Sequence, residues 1–184
     1  MSYYLVASLP TLNLEEPAAW TPDEFLFHCQ GALSPEEWRE LALLTEGRLA
    51  EGESDFAHWW VQLDTQIRNQ MARHRSARLG VEARSWMRMH SGYDVAVEQS
   101  IADALSRANP IERELALDRC RWQALDERIQ VNPFGFETVL AYAIRLQLLN
   151  RWRGLTEEEG LKRIEEFITA NADQYLDTKP AGDA

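Results

Sequence analysis

Apolar residues recur every three or four positions along most of this chain. From Phe56, the series Trp59 or Trp60, Leu63, Ile67 and Met71 keeps that spacing, which is the period of a helix with one buried side. Trp38, Leu41 and Leu44 or Ala42 repeat it earlier, and Ile111, Leu115, Trp122, Leu125 and Ile129 repeat it later. The stretch FETVLAYAIRLQLLNRW carries two apolar stripes, Val139/Tyr142/Leu146/Leu149 and Leu140/Ile144/Leu148. A helix apolar around most of its circumference is a buried one, so this helix is expected at the centre of a bundle.

Polar start signals set the boundaries. Thr21-Pro22-Asp23-Glu24 and Ser34-Pro35-Glu36-Glu37 each combine a hydroxyl N-cap, a proline at the first helical position and a glutamate that reaches back to the cap amide. Thr156-Glu157-Glu158-Glu159 repeats the box without proline. Acids in these first turns also offset the positive end of the helix dipole. The pattern predicts helices over 22–30, 35–45, 54–78, 93–108, 110–129, 138–152 and 157–175, with a polar loop at 46–53. Gly80, Ser91-Gly92, Asn109-Pro110 and Asn132-Pro133-Phe134-Gly135 are the breaks. The expected fold is all-α: a bundle of six to seven helices in one domain, 1–178, with a frayed tail at 179–184.

The opening run YYLVASLPTL stands apart. No Lys or Arg precedes Arg39, and Ser8 and Pro10 cut the apolar run, so it lacks the basic start and long apolar core of a secretory signal. A membrane span needs about 20 apolar residues, and no window reaches that. Pro10 pushes Leu9 toward an extended conformation. Residues 1–12 are therefore expected to form a short extended or strand-like arm packed over the helices of a soluble protein.

Charge changes the picture in one place. The net charge is −11, with 11 acids and two bases in residues 1–60. Residues 61–90 reverse this, with Arg68, Arg73, Arg75, Arg78, Arg84 and Arg88 against Asp64 and Glu82. Global acidity argues against non-specific binding to nucleic acid or anionic membrane. A basic island within an acidic chain suits either internal pairing or docking on an acidic protein surface, which also steers association. The candidate contact residues are Arg73, Arg75, Arg78, Arg84 and Arg88, with Trp86 as an aromatic anchor. Contact with phosphate, and stacking of Trp86 on a base, is the alternative use of the same residues. Arginines near a helix C-terminus also serve the dipole alone.

Other constellations are sparse. Asp55 and His58 stand one helical turn apart, as do Glu24 and His28. Together they would make a metal site on paper, but di-iron bundles use two Glu-x-x-His pairs and two further Glu. Cys120 lies between Arg119 and Arg121, and positive neighbours can lower a thiol pKa. No base or orienting partner accompanies it, so a structural cysteine is the simpler reading. Cys29 and Cys120 form no metal spacing, which suits a reduced, cytosolic protein. No Walker loop, dinucleotide fingerprint, GxSxG or HExxH occurs. Neither a cofactor nor a catalytic residue is assigned.

Three segments carry a resemblance: YYLVASLPTL, NPIERELALDRCRWQALDE, and NPFGFETVLAYAIRLQLLNRW followed by GLTEEEGL. They resemble an uncharacterised family of bacterial proteins that begin with a similar Tyr-Tyr-Leu-Val-Ala-x-Leu-Pro stretch and are encoded among the subunits of V/A-type ATPases. The resemblance implies a non-catalytic subunit or accessory protein of the rotary ATPase, with the other ATPase subunits as partners, no nucleic acid and no direct membrane insertion. It implies a cytoplasmic protein that is peripheral to the membrane only through that complex. The helix at 138–152 is similar in character to helices of the C/d subunit, which seats the central stalk. That subunit is usually much longer and built of repeated lobes, which this chain lacks. A metal-dependent bundle enzyme and a helical adaptor with no ATPase link are the alternative readings.

Overall fold

A computed structural model of the chain describes residues 2–153. Seven α-helices occur among the described residues: α1 Ser2–Ser8, α2 Pro22–Cys29, α3 Pro35–Thr45, α4 Asp55–Leu79, α5 Val95–Ser106, α6 Pro110–Ile129 and α7 Phe136–Arg153. No strand occurs among them, so the fold is an all-α bundle. The helix expected over 157–175, its capping box and the tail at 179–184 lie outside the described residues.

Both proline-containing capping boxes form as the sequence requires. The Glu24 amide donates to Thr21 Oγ1 at 3.2 Å, and the Thr21 amide donates to the Glu24 carboxylate at 2.7 Å. The Ser34–Glu37 pair does the same at 3.2 and 2.8 Å. Ser54 caps α4 through the Ala57 amide at 3.0 Å. A buried carboxylate braces this cap from another helix. Glu40 of α3 accepts from the Ser54 amide at 3.1 Å and from its hydroxyl. The expected loop at 46–53 contains a single 3-10 turn, Leu49–Glu51, whose Leu49 enters the core.

The N-terminal arm differs from expectation. Residues 2–8 are helical, and the irregular segment begins at Leu9. Proline constrains only the residue before it and those whose amides it replaces, so Pro10 leaves the preceding turns free to coil. Packing decides the rest: Leu5 is buried and α1 rests on α7. Tyr3 and Tyr4 remain exposed, with Tyr3 against Phe134 at 4.8 Å.

Helix α7 is the central element, touching α1, α2, α3 and α6. Val139, Leu140, Ala141, Tyr142, Ala143, Ile144, Leu146 and Leu149 are all buried. All of these but Leu149 pack with Phe25, Leu41, Phe56 and Leu125 in one apolar cluster. A second cluster joins Leu63 and Ile67 of α4 to Val97, Ile101 and Leu105 of α5 and Leu117 and Cys120 of α6. Trp59 and Trp60 touch both clusters, so α4 runs through the whole bundle.

On α6, Leu125 is buried and Ile129 packs against the first apolar cluster, as the spacing predicts, but the rest of the buried face differs. Ile111 is exposed, and Ala116, Leu117, Asp118, Cys120 and Leu125 are buried. Asp118, a fully buried carboxylate, lies on that face. It accepts from Arg121 at 3.1 Å, from the Trp152 indole at 2.7 Å and from Arg151. Arg121 also lies 3.7 Å from Asp64 of α4. One ion network therefore ties α4, α6 and α7 where their apolar faces diverge.

Candidate functional site

Among the described residues, the basic island is built from the last turns of α4 and the connection 80–94. Helix α4 stops because Gly80 adopts φ 66°, a left-handed conformation glycine takes without strain. The Gly80 and Val81 amides both donate to the Ser76 carbonyl. The chain then reverses and runs back along α4.

Side chains of α4 hold this returning strap by its backbone. Gln62 accepts from the Ser91 amide at 2.6 Å. Gln66 accepts from the Asp94 amide at 3.0 Å and donates to the Asp94 carbonyl at 2.7 Å. Asn69 accepts from the Arg88 amide at 2.9 Å and donates to the Arg88 carbonyl at 2.7 Å. Gln66 and Asn69 are buried. Positions 62, 66 and 69 share one side of a helix with 3.6 residues per turn. Their amides supply partners to backbone groups of 88–94, which lie outside any helix. Asp94 then caps α5 through the Ala96 and Val97 amides, so α5 begins alongside the middle of α4 and runs the same way.

The structure separates the candidate arginines into three positions. Arg75 and Arg78 are neighbours on the outward side of α4, because residues three apart share a face. Arg73 continues the Gln62/Gln66/Asn69 side, beside a groove of about 520 Å³ between α4 and α5 that is also lined by Ile101 and Leu105. Arg84 and Arg88 lie on the strap with Trp86, which ends a 3-10 turn. All six candidate residues are exposed. Arg73, Arg75, Arg78, Arg84 and Arg88 make no ion pair with a carboxylate of the described residues, whereas Arg68 is paired with Asp64 at 2.6 Å.

Sequence reasoning missed two parts of this surface. Leu79, Val81, Met89, Tyr93 and Val95 are exposed beside the arginines, with Trp86 at 72 % and Met89 at 101 % of full exposure. The clamp residues Gln62, Gln66 and Asn69 were also missed. Their signal was a run of amide side chains at helical spacing next to the buried Leu63 and Ile67. Glu98, which accepts from Gln70 at 3.0 Å, is the chief cause of an upward shift in the Tyr93 hydroxyl pKa.

The remaining candidates are held in other ways. His28 stacks on Trp20 at 4.2 Å, and Glu24 is committed to its cap. Asp55 and His58 lie exposed in the first turn of α4. No group of three or more His, Cys, Asp or Glu among the described residues is placed to hold a metal ion, so Glu24, His28, Asp55 and His58 do not converge. Cys120 is buried, and burial raises its thiol pKa against the smaller lowering effect of Arg121. Burial also pushes Cys29 up to about 12. An apolar groove of about 390 Å³ lies between residues 14–22 and the end of α7, lined by Leu14, Pro17, Trp20, Leu146 and Leu149. Its polar neighbours are engaged: Glu15 with Arg119, and Trp152 with Asp118. No described helix is long and apolar enough to cross a membrane.

Fold and surface together define a class: a helical bundle that presents an exposed basic and aromatic patch on a braced backbone. Residues 94–173 match the model of a family described as a protein of unknown function, DUF2764. That match begins at the cap of α5 and takes in α6 and α7, leaving most of the basic island before it. No curated protein and no solved structure matches the chain.

Proposed function

We propose that this chain is a non-catalytic subunit or accessory protein of a V/A-type rotary ATPase, acting by protein–protein contact through its basic, aromatic patch. One observation carries the contact role. Arg84 and Arg88, without a carboxylate partner among the described residues, flank the exposed Trp86 and Met89 on a strap whose backbone is held by buried amides. Arg73, Arg75 and Arg78 on α4 are likewise exposed and unpaired among the described residues. Interfaces draw their energy from aromatic and Arg residues of this kind, and an acidic partner would be drawn to this patch of an otherwise acidic molecule.

The ATPase assignment rests on the resemblance of the opening run and of residues 109–127 and 132–161 to the family encoded with those subunits. Within the machine, a role like that of the C/d subunit at the central stalk is the reading we favour. The protein is then cytoplasmic and reaches the membrane only through the complex. Purification of the tagged full-length chain from its native host in mild detergent tests this. ATPase subunits should be recovered in stoichiometric amounts. Recovery of a different stable partner, without them, would make the chain an adaptor unrelated to the ATPase.

A further inference from the structure

We infer that the strap 84–93 is a pre-organised anchor, and that Trp86 and Met89 enter an apolar pocket on an acidic protein surface while Arg84 and Arg88 pair with carboxylates around it. This deepens the reading above and rests on it for the choice of partner. Three observations converge on the strap. Met89 is completely exposed and Trp86 largely so, although the bundle has two apolar clusters that take up other large side chains. The residues between and beside them are Arg84 and Arg88, both exposed. The strap backbone is fixed at Arg88, Ser91 and Asp94 by Asn69, Gln62 and Gln66.

The last point separates an anchor from an untidy loop. A loop that must order on binding loses affinity to conformational entropy, whereas a fixed one does not. Here α4 spends two buried amides to fix a segment whose own side chains contribute nothing to the core. Gln66 and Asn69 are positioning residues in this scheme: they touch the strap, not the partner. Charge selects the partner's chemistry. A surface able to meet Arg84, Arg88 and the nearby Arg73 must be acidic, and the chain's net charge of −11 disfavours approach to polyanions as extended as nucleic acid or a lipid sheet.

The test measures binding of the full-length chain to the purified V/A-type ATPase of the same host, with W86A, M89A, N69A and R84E/R88E variants alongside. W86A and M89A should each weaken binding on the order of 30-fold, the size of a hot-spot truncation. R84E/R88E should slow association and flatten its salt dependence. N69A should weaken binding without removing any contacting side chain, and a helical circular dichroism spectrum identical to wild type confirms the fold of each variant. Binding by wild type that W86A and M89A leave unchanged overturns the anchor and leaves the ATPase reading standing. Absence of binding by wild type overturns both. A parallel arm uses vesicles of phosphatidylcholine and phosphatidylserine; binding there that W86A abolishes assigns the strap to a lipid surface and overturns the protein partner.

Discussion

Asn69 holds Arg88 by both of its backbone groups, accepting from the amide at 2.9 Å and donating to the carbonyl at 2.7 Å. The two residues are 19 positions apart, and the pairing fixes the basic strap against α4. Replacing Asn69 with Leu keeps the size and removes both bonds. The variant should lose about 1–3 kcal/mol, the usual penalty for leaving buried polar groups unpaired. Hydrogen exchange should quicken at 88–94 while the α7 amides keep their protection. Unchanged exchange in the strap would show that the amide clamp is not what holds it.

Asp118 is a second buried hub, and its partners predict a non-additive response. Removing Asp118 strands the largely buried Arg121 guanidinium, and breaking a buried ion pair in this way costs about 3–5 kcal/mol. D118A should therefore be severely destabilised in urea denaturation. Replacing Asp118, Arg121 and Arg151 together with Leu should cost less than D118A alone, since no charge is then stranded. A triple variant worse than the single one would contradict this account of the network.

Gly52 sits where α3 meets the start of α4. A Cβ there would lie 2.6 Å from Glu40 Oε1 and 2.9 Å from the Ala57 Cβ. Glu40 cannot simply withdraw, because it braces the Ser54 cap. G52A should lose about 1–3 kcal/mol, in the range of overpacked sites. Glycine elsewhere serves conformation instead: G80A would meet no atom but would be strained at φ 66°.

Alkaline pH should weaken the fold. Burial raises the Cys29 thiol from an ordinary value of 9.0 to about 12, and the Tyr142 hydroxyl from 10.0 to about 12. Both groups stay neutral in the folded chain at pH values where the unfolded chain ionises. Their contribution is complete below pH 9 and is lost as pH rises from 9 toward 12. Thermal midpoints should fall across that window, and C29A should be less stable overall but show a shallower fall. At pH 8 both thiols should resist iodoacetamide until the protein is unfolded; rapid labelling of the native chain would contradict their burial.

Most of the fold was legible because caps and periodicity agree. Thr21, Ser34 and Ser54 mark the starts of α2, α3 and α4 by local chemistry that does not depend on the rest of the chain. The apolar circumference of α7 announced its central place. What was not legible depends on distant contacts. Seven residues are too few to separate a helical from an alternating period, and α1 is settled by Leu5 packing on α7. On α6, Leu125 and Ile129 pack as their spacing predicts, but Asp118 reads as a surface residue until Arg121, Arg151 and Trp152 surround it. The basic island was visible as a charge reversal, yet its brace was not: Gln66 and Asn69 find their partners in backbone 19 to 28 positions away.

The central claim is that the basic island of the bundle recognises another macromolecule. Reversing Arg73, Arg75 and Arg78 together to Glu and measuring recovery of ATPase subunits with the tagged chain tests it most directly. The helical circular dichroism spectrum should be unchanged, since none of the three pairs with a carboxylate of the described residues, and recovery of the ATPase subunits should be lost. Recovery equal to wild type would contradict the claim.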